Sequence, residues 1–323
     1  MRIAAVFVTY GSRRELLLSA VRSALICDSV RQVIIVDNAS DRPIVDDIGP
    51  GFDGWTGKDI HIERNSENTG SAGGYAQAIA LARSLPNIDA ILLLDDDLCV
   101  SPTSIEATSE RMTSRAHVVF QIPRSDRPEQ FAYLNGTKSP TIYKNSFHDF
   151  SVANLAPRIW PTRPKSASSV SVEFAPFAGL MLPIEVVKNV DVPNKDLFLY
   201  CDDYDYVQKI IKTGFEVVLI GVDPLRSIDA SWNQVDRISP AIFDPFTPST
   251  RCYYSVRNRV IFERKYFLGS ELIYSLNMIS YLVIGALISL FEFRSPRATL
   301  KRLNLVVSAI AAGFRTDLTN RRF

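Results

Sequence analysis

Ile91-Leu92-Leu93-Leu94-Asp95-Asp96-Asp97 runs four apolar residues straight into three carboxylates. The apolar run is short enough to be a strand buried on both faces, so the acids emerge where that strand leaves a sheet. Three adjacent acids repel one another and call for a cation. A divalent metal with oxygen ligands, Mn²⁺ or Mg²⁺, bridging to a phosphorylated substrate fits that need. A solvated acidic turn is the plainer alternative, because strand-end acids are common in α/β proteins.

Working back towards the N-terminus, Ile3 to Val8 reads as another buried strand closed by the turn signal Gly11-Ser12. Leu16, Leu17, Ala20, Val21, Ala24 and Leu25 then recur at helical spacing, and Val33-Ile34-Ile35-Val36 follows as a strand ending in Asp37-Asn38-Ala39-Ser40. Strand, helix and strand with short links predict parallel pairing and a right-handed crossover. Ligand groups then gather at the carboxyl ends of the strands, where Thr9 and Asp37 sit. After a Gly-rich loop from Gly49 to Gly57, His61-Ile62-Glu63-Arg64 is a weaker strand. It leads into Asn65-Ser66-Glu67-Asn68-Thr69-Gly70-Ser71-Ala72-Gly73-Gly74 and a helix carrying Ala76, Ile79, Ala80 and Leu81. Glycines before a helix let backbone N–H groups approach an anion, although a plain tight turn has the same signature.

On the other side of the acids, Phe120 to Phe150 reads as short strands and turns. Prolines 157, 161 and 164 with Arg158, Arg163 and Lys165 predict a surface loop, either a lid or a passive connection. A second apolar-to-acid transition follows the segment Phe174 to Leu182: Leu197-Phe198-Leu199-Tyr200-Cys201-Asp202-Asp203-Tyr204-Asp205. Here the acids open a helix, Tyr204 to Thr213, that Gly214 closes. The macrodipole favours one acid as a cap, while three within four residues suggest that one is aimed at chemistry. Glu216 to Ile220 is the next strand, and Ser227 to Asn233 a polar, aromatic turn. Tyr253, Tyr254, Arg257, Asn258 and Arg259 either grip phosphate and sugar or belong to an ordinary amphipathic helix.

Lys and Arg number 36 against 35 Asp and Glu, a net charge of +1, so nothing global argues for a nucleic-acid partner. Cys27, Cys99, Cys201 and Cys252 are scattered without CxxC spacing, as are His61, His117 and His148. That speaks for a reducing compartment and against a disulfide frame or zinc site. The apolar N-terminal run is too short for a signal peptide, and the protein is expected to stay in the cytoplasm. Leu272 to Phe291 is twenty residues without formal charge, followed by Arg294, Arg297, Lys301, Arg302, Arg315, Arg321 and Arg322. A spanning helix, a membrane-surface helix and a packed helix all fit. A monotopic attachment is favoured, because the basic cluster would meet anionic headgroups.

Val8-Thr9-Tyr10, Val36 to Ser40, Asn68 to Gly74, Asp95-Asp96-Asp97 and Tyr200 to Asp205, taken in order, resemble a family 2 inverting glycosyltransferase with the GT-A fold. The resemblance covers residues 1–265 and leaves 266–323 as a helical, apolar and basic region that associates with membrane. It implies an α/β fold, a Rossmann-like, mostly parallel sheet flanked by helices. The triple acid with the Asn-x-Gly-x-x-Gly-Gly loop is most similar to bacterial galactofuranosyltransferases, with O-antigen rhamnosyltransferases nearly as close. It implies that Thr9, Asp37, Asn68, Gly70 and Asp96 hold the nucleoside, that Asp95 and Asp97 hold Mn²⁺ or Mg²⁺ on the diphosphate, and that Asp203 is the catalytic base. Asp202 and Asp205 stand beside that base.

Members of the family commonly carry a metal-site histidine some thirty residues after the base. Here Asp229-Ala230-Ser231-Trp232-Asn233 has none, so Asn233 or Asp229 supplies an oxygen instead, or the metal keeps an extra water. The implied partners are a nucleotide sugar, UDP-galactofuranose ahead of dTDP-rhamnose, a lipid-linked glycan acceptor and the membrane surface. The implied location is the cytoplasmic face of the inner membrane. Two rivals stand beside this: a nucleotidyltransferase, for which only Gly11-Ser12-Arg13-Arg14 follows the first strand, and a non-catalytic nucleotide-sugar-binding or scaffold protein.

Overall fold

A computed structural model describes residues 1–49, 51–52, 57–115, 117–155, 166–229, 240–316 and 318. Its strands β1 (Ile3–Thr9), β2 (Val30–Asp37), β3 (Asp59–Arg64) and β4 (Ala90–Asp95) are mutually parallel, with β1 at the centre between β2 and β4. Helix α1 (Arg14–Leu25) crosses from β1 to β2, and α2 (Gly70–Ser84) from β3 to β4. β1, β2 and β4 are the strands whose apolar runs are continuous, as expected of strands covered on both faces. Ile3, Ala5 and Phe7 of β1 with Leu92 and Leu94 of β4 meet Leu17, Ala20, Val21 and Ala24 of α1. Ala4, Val6, Ile91 and Leu93 point the other way and meet Tyr75, Ala78, Ile79 and Ala82 of α2. β3 is the edge, and its burial is correspondingly partial.

Beyond β4 the chain adds β5 (Leu98–Cys99), α3 (Pro102–Ser114), β6 (Val118–Gln121), α4 (Pro128–Leu134), β7 (Ser169–Ser171), β8 (Leu180–Pro183) and α5 (Ile184–Asn189). Then come α6 (Asp202–Lys212), β9 (Glu216–Ile220) and β10 (Arg226–Ser227). The sheet order is β3-β2-β1-β4-β8-β6-β9-β7, with β8 and β7 antiparallel to their neighbours and β6 parallel to β9. β10 pairs antiparallel with β5 in a separate ribbon. The result is a mostly parallel, GT-A-like sheet with helices on both faces.

Two segments depart from the sequence reading. Helix α6 starts at Asp202 rather than Tyr204, because the acids form its first turn instead of preceding it. Phe120 to Phe150 contains the helix α4, which is too short to show periodicity: only Gln130 and Leu134, one turn apart, are buried. The proline-rich stretch 156–165 and the turn residues Trp232 and Asn233 lie outside the described residues.

The chain divides into two compact units, one of residues 1–140, 164–195 and 203–230, the other of 141–163, 196–202 and 231–323. In the second, α7 (Ser249–Tyr266), α8 (Glu271–Phe293) and α9 (Pro296–Phe314) enclose a core of Tyr253, Tyr254, Val256, Val260, Tyr274, Val306 and Ala309. The aromatic and basic residues of α7 are internal rather than a sugar-binding face. Arg257 and Asn258 are fully buried, and Arg259 is clamped by Glu263 at 2.6 Å and Asp149 at 2.5 Å. The side-chain amide of Asn258 donates to the carbonyls of Leu197, Leu199 and Tyr200 at 2.7–3.0 Å. It thereby holds a turn in which Phe198, Tyr200 and Cys201 all have left-handed backbone, at φ 66°, 68° and 58°. Such residues persist only where their surroundings over-determine them.

Candidate active site

Strand register builds the site. Thr9 lies opposite Asp37, Val8 opposite Asp95, and Asp37 opposite Arg64, so these polar side chains reach the same carboxyl edge together. Asp37 is fully buried. Its Oδ1 accepts the amide of Ser40 at 2.8 Å, and its Oδ2 accepts the amide of Ile44 at 3.1 Å and the Arg64 guanidinium. Burial pushes this carboxyl up, but the two amides and Arg64 outweigh it and hold Asp37 below the ordinary carboxylate range.

Next to it, Asn38 ties down the loop that opens α2. Its Nδ2 donates to Asn68 Oδ1 and to the carbonyl of Gly70, while its Oδ1 accepts from Asn65 and from both the amide and hydroxyl of Thr69. Asn68 itself is exposed, with Oδ1 also accepting the amide of Gly70, whose φ of +74° suits a residue without Cβ. Gly74 has a packing role. A Cβ there would overlap Cγ1 of Val8 and lie 3.3 Å from its Cγ2, so α2 rests directly on β1 only because that position is glycine.

Guanidiniums balance the triple acid. Arg13, in the turn before α1, donates from Nε to Asp96 at 2.8 Å, from Nη2 to Asp97 at 2.8 Å and from Nη1 to Asp229 at 3.0 Å. Arg124, buried beyond β6, donates to Asp95 at 2.7 Å and to Asp126 at 2.9 Å. Asp96 is 4% exposed, and its other oxygen accepts the Thr9 hydroxyl at 2.7 Å. Asp95 accepts the hydroxyl of Tyr75 at 3.0 Å. Burial pushes Asp96 up to about 6 in spite of Arg13 and Thr9. It also pushes Asp97 up, and the charge of Asp95 adds to that shift. Arg13 and Arg124 are shared among five carboxylates, Asp95, Asp96, Asp97, Asp126 and Asp229, which leaves this edge short of positive charge.

A divalent cation fits that shortage. Asp97 Oδ1 is buried without a hydrogen-bond partner, and Asp95 remains partly open to solvent. Among the described residues no three His, Cys, Asp or Glu side chains cluster as a ready-made metal site. Two carboxylates completed by water and substrate phosphate are nonetheless the usual setting for Mg²⁺.

Asp203 belongs to the same edge by topology. α6 feeds into β9, which runs parallel to β6, so the N-terminus of α6 opens where the parallel strands end. Two ring contacts join it to the acids: Tyr206 of α6 lies 6.0 Å from Phe177, and Phe177 lies 4.4 Å from Tyr75, whose hydroxyl holds Asp95. Asp203 is half-buried, and its Oδ1 accepts the amide of Tyr204 at 2.8 Å. Asp205 is buried beside Lys209, and Asp202, also buried, closes the 196–202 segment of the second unit.

Arg124 and Tyr75 escaped the sequence reading, and Asn38, part of the Val36 to Ser40 motif, and Arg13 had no role assigned in it. Arg64 could have been found, since it closes β3 as Asp37 closes β2. Arg13 had only the weak signal of a basic residue just after the first strand.

The site is thus a GT-A-like sheet with polar groups and acids gathered at one carboxyl edge. The profile of the family described as glycosyl transferase family 2 matches residues 5–169, and the chain belongs to that family. No curated protein matches the chain. Among solved structures, S. aureus TarS 1-349 is similar with a TM-score of 0.47 at 11% identity, over 98% of this chain and 92% of that one. GalNAc-T7 with UDP, GalNAc and Mn²⁺ is similar with a TM-score of 0.55 at 10% identity, over 99% of this chain and 58% of that one.

Proposed function

We propose that the protein moves a sugar, galactofuranose favoured, from a UDP donor to a hydroxyl of a lipid-linked glycan in cell-surface polysaccharide synthesis, with inversion at the anomeric carbon. The observation that carries this reading is the convergence of Asp95–Asp97 and the N-terminus of α6 on one strand edge, linked through Tyr75, Phe177 and Tyr206. Asp37, Arg64 and the Asn68–Gly70 loop form the nucleoside side, with Thr9 and Asp96 as the strut beneath it. Asp95 and Asp97 would hold the cation. A bound Mn²⁺ or Mg²⁺ offsets the charge that builds on the departing diphosphate. GalNAc-T7, which shares the fold, was solved with UDP and Mn²⁺, in keeping with that pairing.

In this reading Asp203 takes the proton of the acceptor hydroxyl, whose oxygen attacks the anomeric carbon from the face opposite the diphosphate. The C–O bond to the diphosphate breaks as the new glycosidic bond forms, so one displacement inverts the centre. The triple acid with the Asn68–Gly74 loop supports galactofuranose as the sugar. Incubating the protein with a panel of nucleotide sugars and Mn²⁺, and following nucleoside diphosphate release with a polyprenyl-linked acceptor, tests the reading. Release from UDP-galactofuranose above all other donors is the expected result; no release from any donor overturns it.

The membrane side of the proposal rests on α8, a helix long and apolar enough to cross a bilayer. Leu272, Leu276, Ile279, Val283, Leu287 and Leu290 form an exposed stripe along it, about 30 Å at 1.5 Å per residue. Its opposite face is committed to protein. Tyr274 donates to Glu263 at 3.0 Å, Asn277 to the carbonyl of Asn145 at 2.8 Å, Ser289 to the carbonyl of Phe243 at 3.1 Å, and Gly285 lies against the Phe243 ring. A spanning α8 would carry the Arg259–Glu263 pair into hydrocarbon, which is costly. An in-plane helix avoids that cost, with exposed Arg294, Arg297 and Lys301 at its end facing anionic headgroups. The location that follows is the cytoplasmic face of the inner membrane.

A further inference from the structure

We propose that Arg13 is the resident counter-cation of the strand-edge acids and holds Asp97 until metal and nucleotide arrive together. The inference rests on the assignment of Asp95 and Asp97 to a divalent cation. Arg13 engages three carboxylates from two remote segments: Asp96, Asp97 and Asp229, at 2.8, 2.8 and 3.0 Å. Its planar fork can hold separate anions at once, which a lysine ammonium cannot do with the same geometry. It sits in the turn after Gly11, whose φ is +59°, and its side chain keeps 24% exposure, so it has a way out towards solvent.

The three carboxylates do not depend on it equally. Asp96 keeps the Thr9 hydroxyl at 2.7 Å, a second partner that survives departure of Arg13. Asp97 has one oxygen on Arg13 and the other without a partner. Arg124 cannot take over, because it is already shared between Asp95 and Asp126. Asp97 is thus the carboxylate whose state Arg13 controls.

Electrostatics then fixes the order of events. A bare divalent cation approaching Asp97 meets a guanidinium charge 2.8 Å from that carboxylate and is repelled by it. A cation arriving with a nucleoside diphosphate brings phosphate oxygens, which are bidentate partners for Arg13 in place of Asp97. Arg13 therefore makes metal and nucleotide binding cooperative, and linkage requires each to tighten the other by the same factor. The opposite role, in which Arg13 only orients Asp97 as an outer-shell hydrogen bond, predicts that losing it weakens the metal.

The test is Mn²⁺ binding to the full chain, followed by electron paramagnetic resonance with and without UDP, for the wild type, Arg13→Gln and Arg13→Lys. Arg13→Gln is expected to bind Mn²⁺ alone at least about tenfold tighter, the size of removing one unit charge roughly 5 Å from a divalent cation even at the dielectric of bulk water. Its gain from UDP should shrink in proportion. Arg13→Lys keeps the charge and loses the fork, so a smaller tightening is expected, and it decides the matter if thermal melts show Arg13→Gln unfolded. Mn²⁺ affinity equal to or below that of the wild type in the folded variant overturns the role given to Arg13, while wild-type Mn²⁺·UDP binding would leave the metal assignment intact. Failure of every form to bind Mn²⁺ with UDP present would overturn both.

Discussion

Replacing Gly74 by alanine probes how α2 is seated. The new Cβ would overlap Cγ1 of Val8 and lie 3.3 Å from Cγ2, on a strand whose backbone is held by pairing on both sides, so relief has to come from the Val8 side chain or from α2. Overpacking of this kind costs about 1–3 kcal/mol. Alanine returns about 1 kcal/mol through its better helix propensity, so a net loss of about 1 kcal/mol is expected. Because α2 carries Tyr75, lifting it from β1 also draws the phenol away from Asp95, and Mn²⁺-dependent nucleotide binding should weaken with stability. Urea unfolding followed by fluorescence, with UDP binding by calorimetry, gives both numbers. A Val8→Ala partner supplies the cycle: the double variant should be more stable than the sum of the singles by about 0.5–3 kcal/mol, since the clash needs both side chains. Strict additivity, or a Gly74→Ala protein more stable than the wild type, would refute this view of the helix–strand contact.

The acid limb of the stability curve should report Asp37. Its carboxyl is held below the ordinary value of 3.8, so its contribution is present above that pH and is lost as pH falls through the lower folded value; Asp37→Asn should be the less stable protein at pH 7 and converge on the wild type at acid pH, and a constant difference across that range would contradict the hold of the Ser40 and Ile44 amides and Arg64 on this group. Asn258→Ala should cost about 1–3 kcal/mol by leaving carbonyls of the 197–200 turn without a donor, and Asn258→Asp should be worse because a carboxylate faces those oxygens; an Asp variant as stable as the wild type in urea would dismiss the clamp. Leu276→Ser with Val283→Ser and Leu287→Ser should abolish flotation with anionic vesicles, and neutralising Arg294, Arg297 and Lys301 should cost about 1 kcal/mol each; flotation unchanged by either set would remove α8 as the anchor.

What could be read in the sequence follows the physics of each element. β1, β2 and β4 are buried on both faces, so their apolar runs announce them, and a strand buried in this way leaves its polar residues only at the ends. Thr9, Asp37 and Asp95 were legible for that reason. The charge excess at Asp95 to Asp97 was legible too, but its partners were not. Arg13 and Arg124 reach those acids across 84 and 29 residues of chain, and nothing local in an arginine names its counter-ion. The polar content of α7 misled in the same way. Arg257 and Asn258 resemble a solvent or substrate face, yet they are the interior of a helix whose job is to satisfy the carbonyls of a strained turn. Asn38 sits in a polar cluster that reads as a loop, and its role as the hub of the Asn65–Gly70 segment needs the pairing of β2 with β3 to appear.

The role of Asp203 can be decided by one comparison, in which Asp203→Asn and the wild type are matched for Mn²⁺·UDP binding and then assayed for transfer from the donor that the panel selects. The variant should bind the nucleotide within about twofold, since Asp37 and Asp95–Asp97 are untouched, and should transfer about 10²–10⁴-fold more slowly, the usual contribution of a positioned base. A folded variant that binds as well and transfers nearly as fast would place the proton acceptor elsewhere and separate α6 from the chemistry.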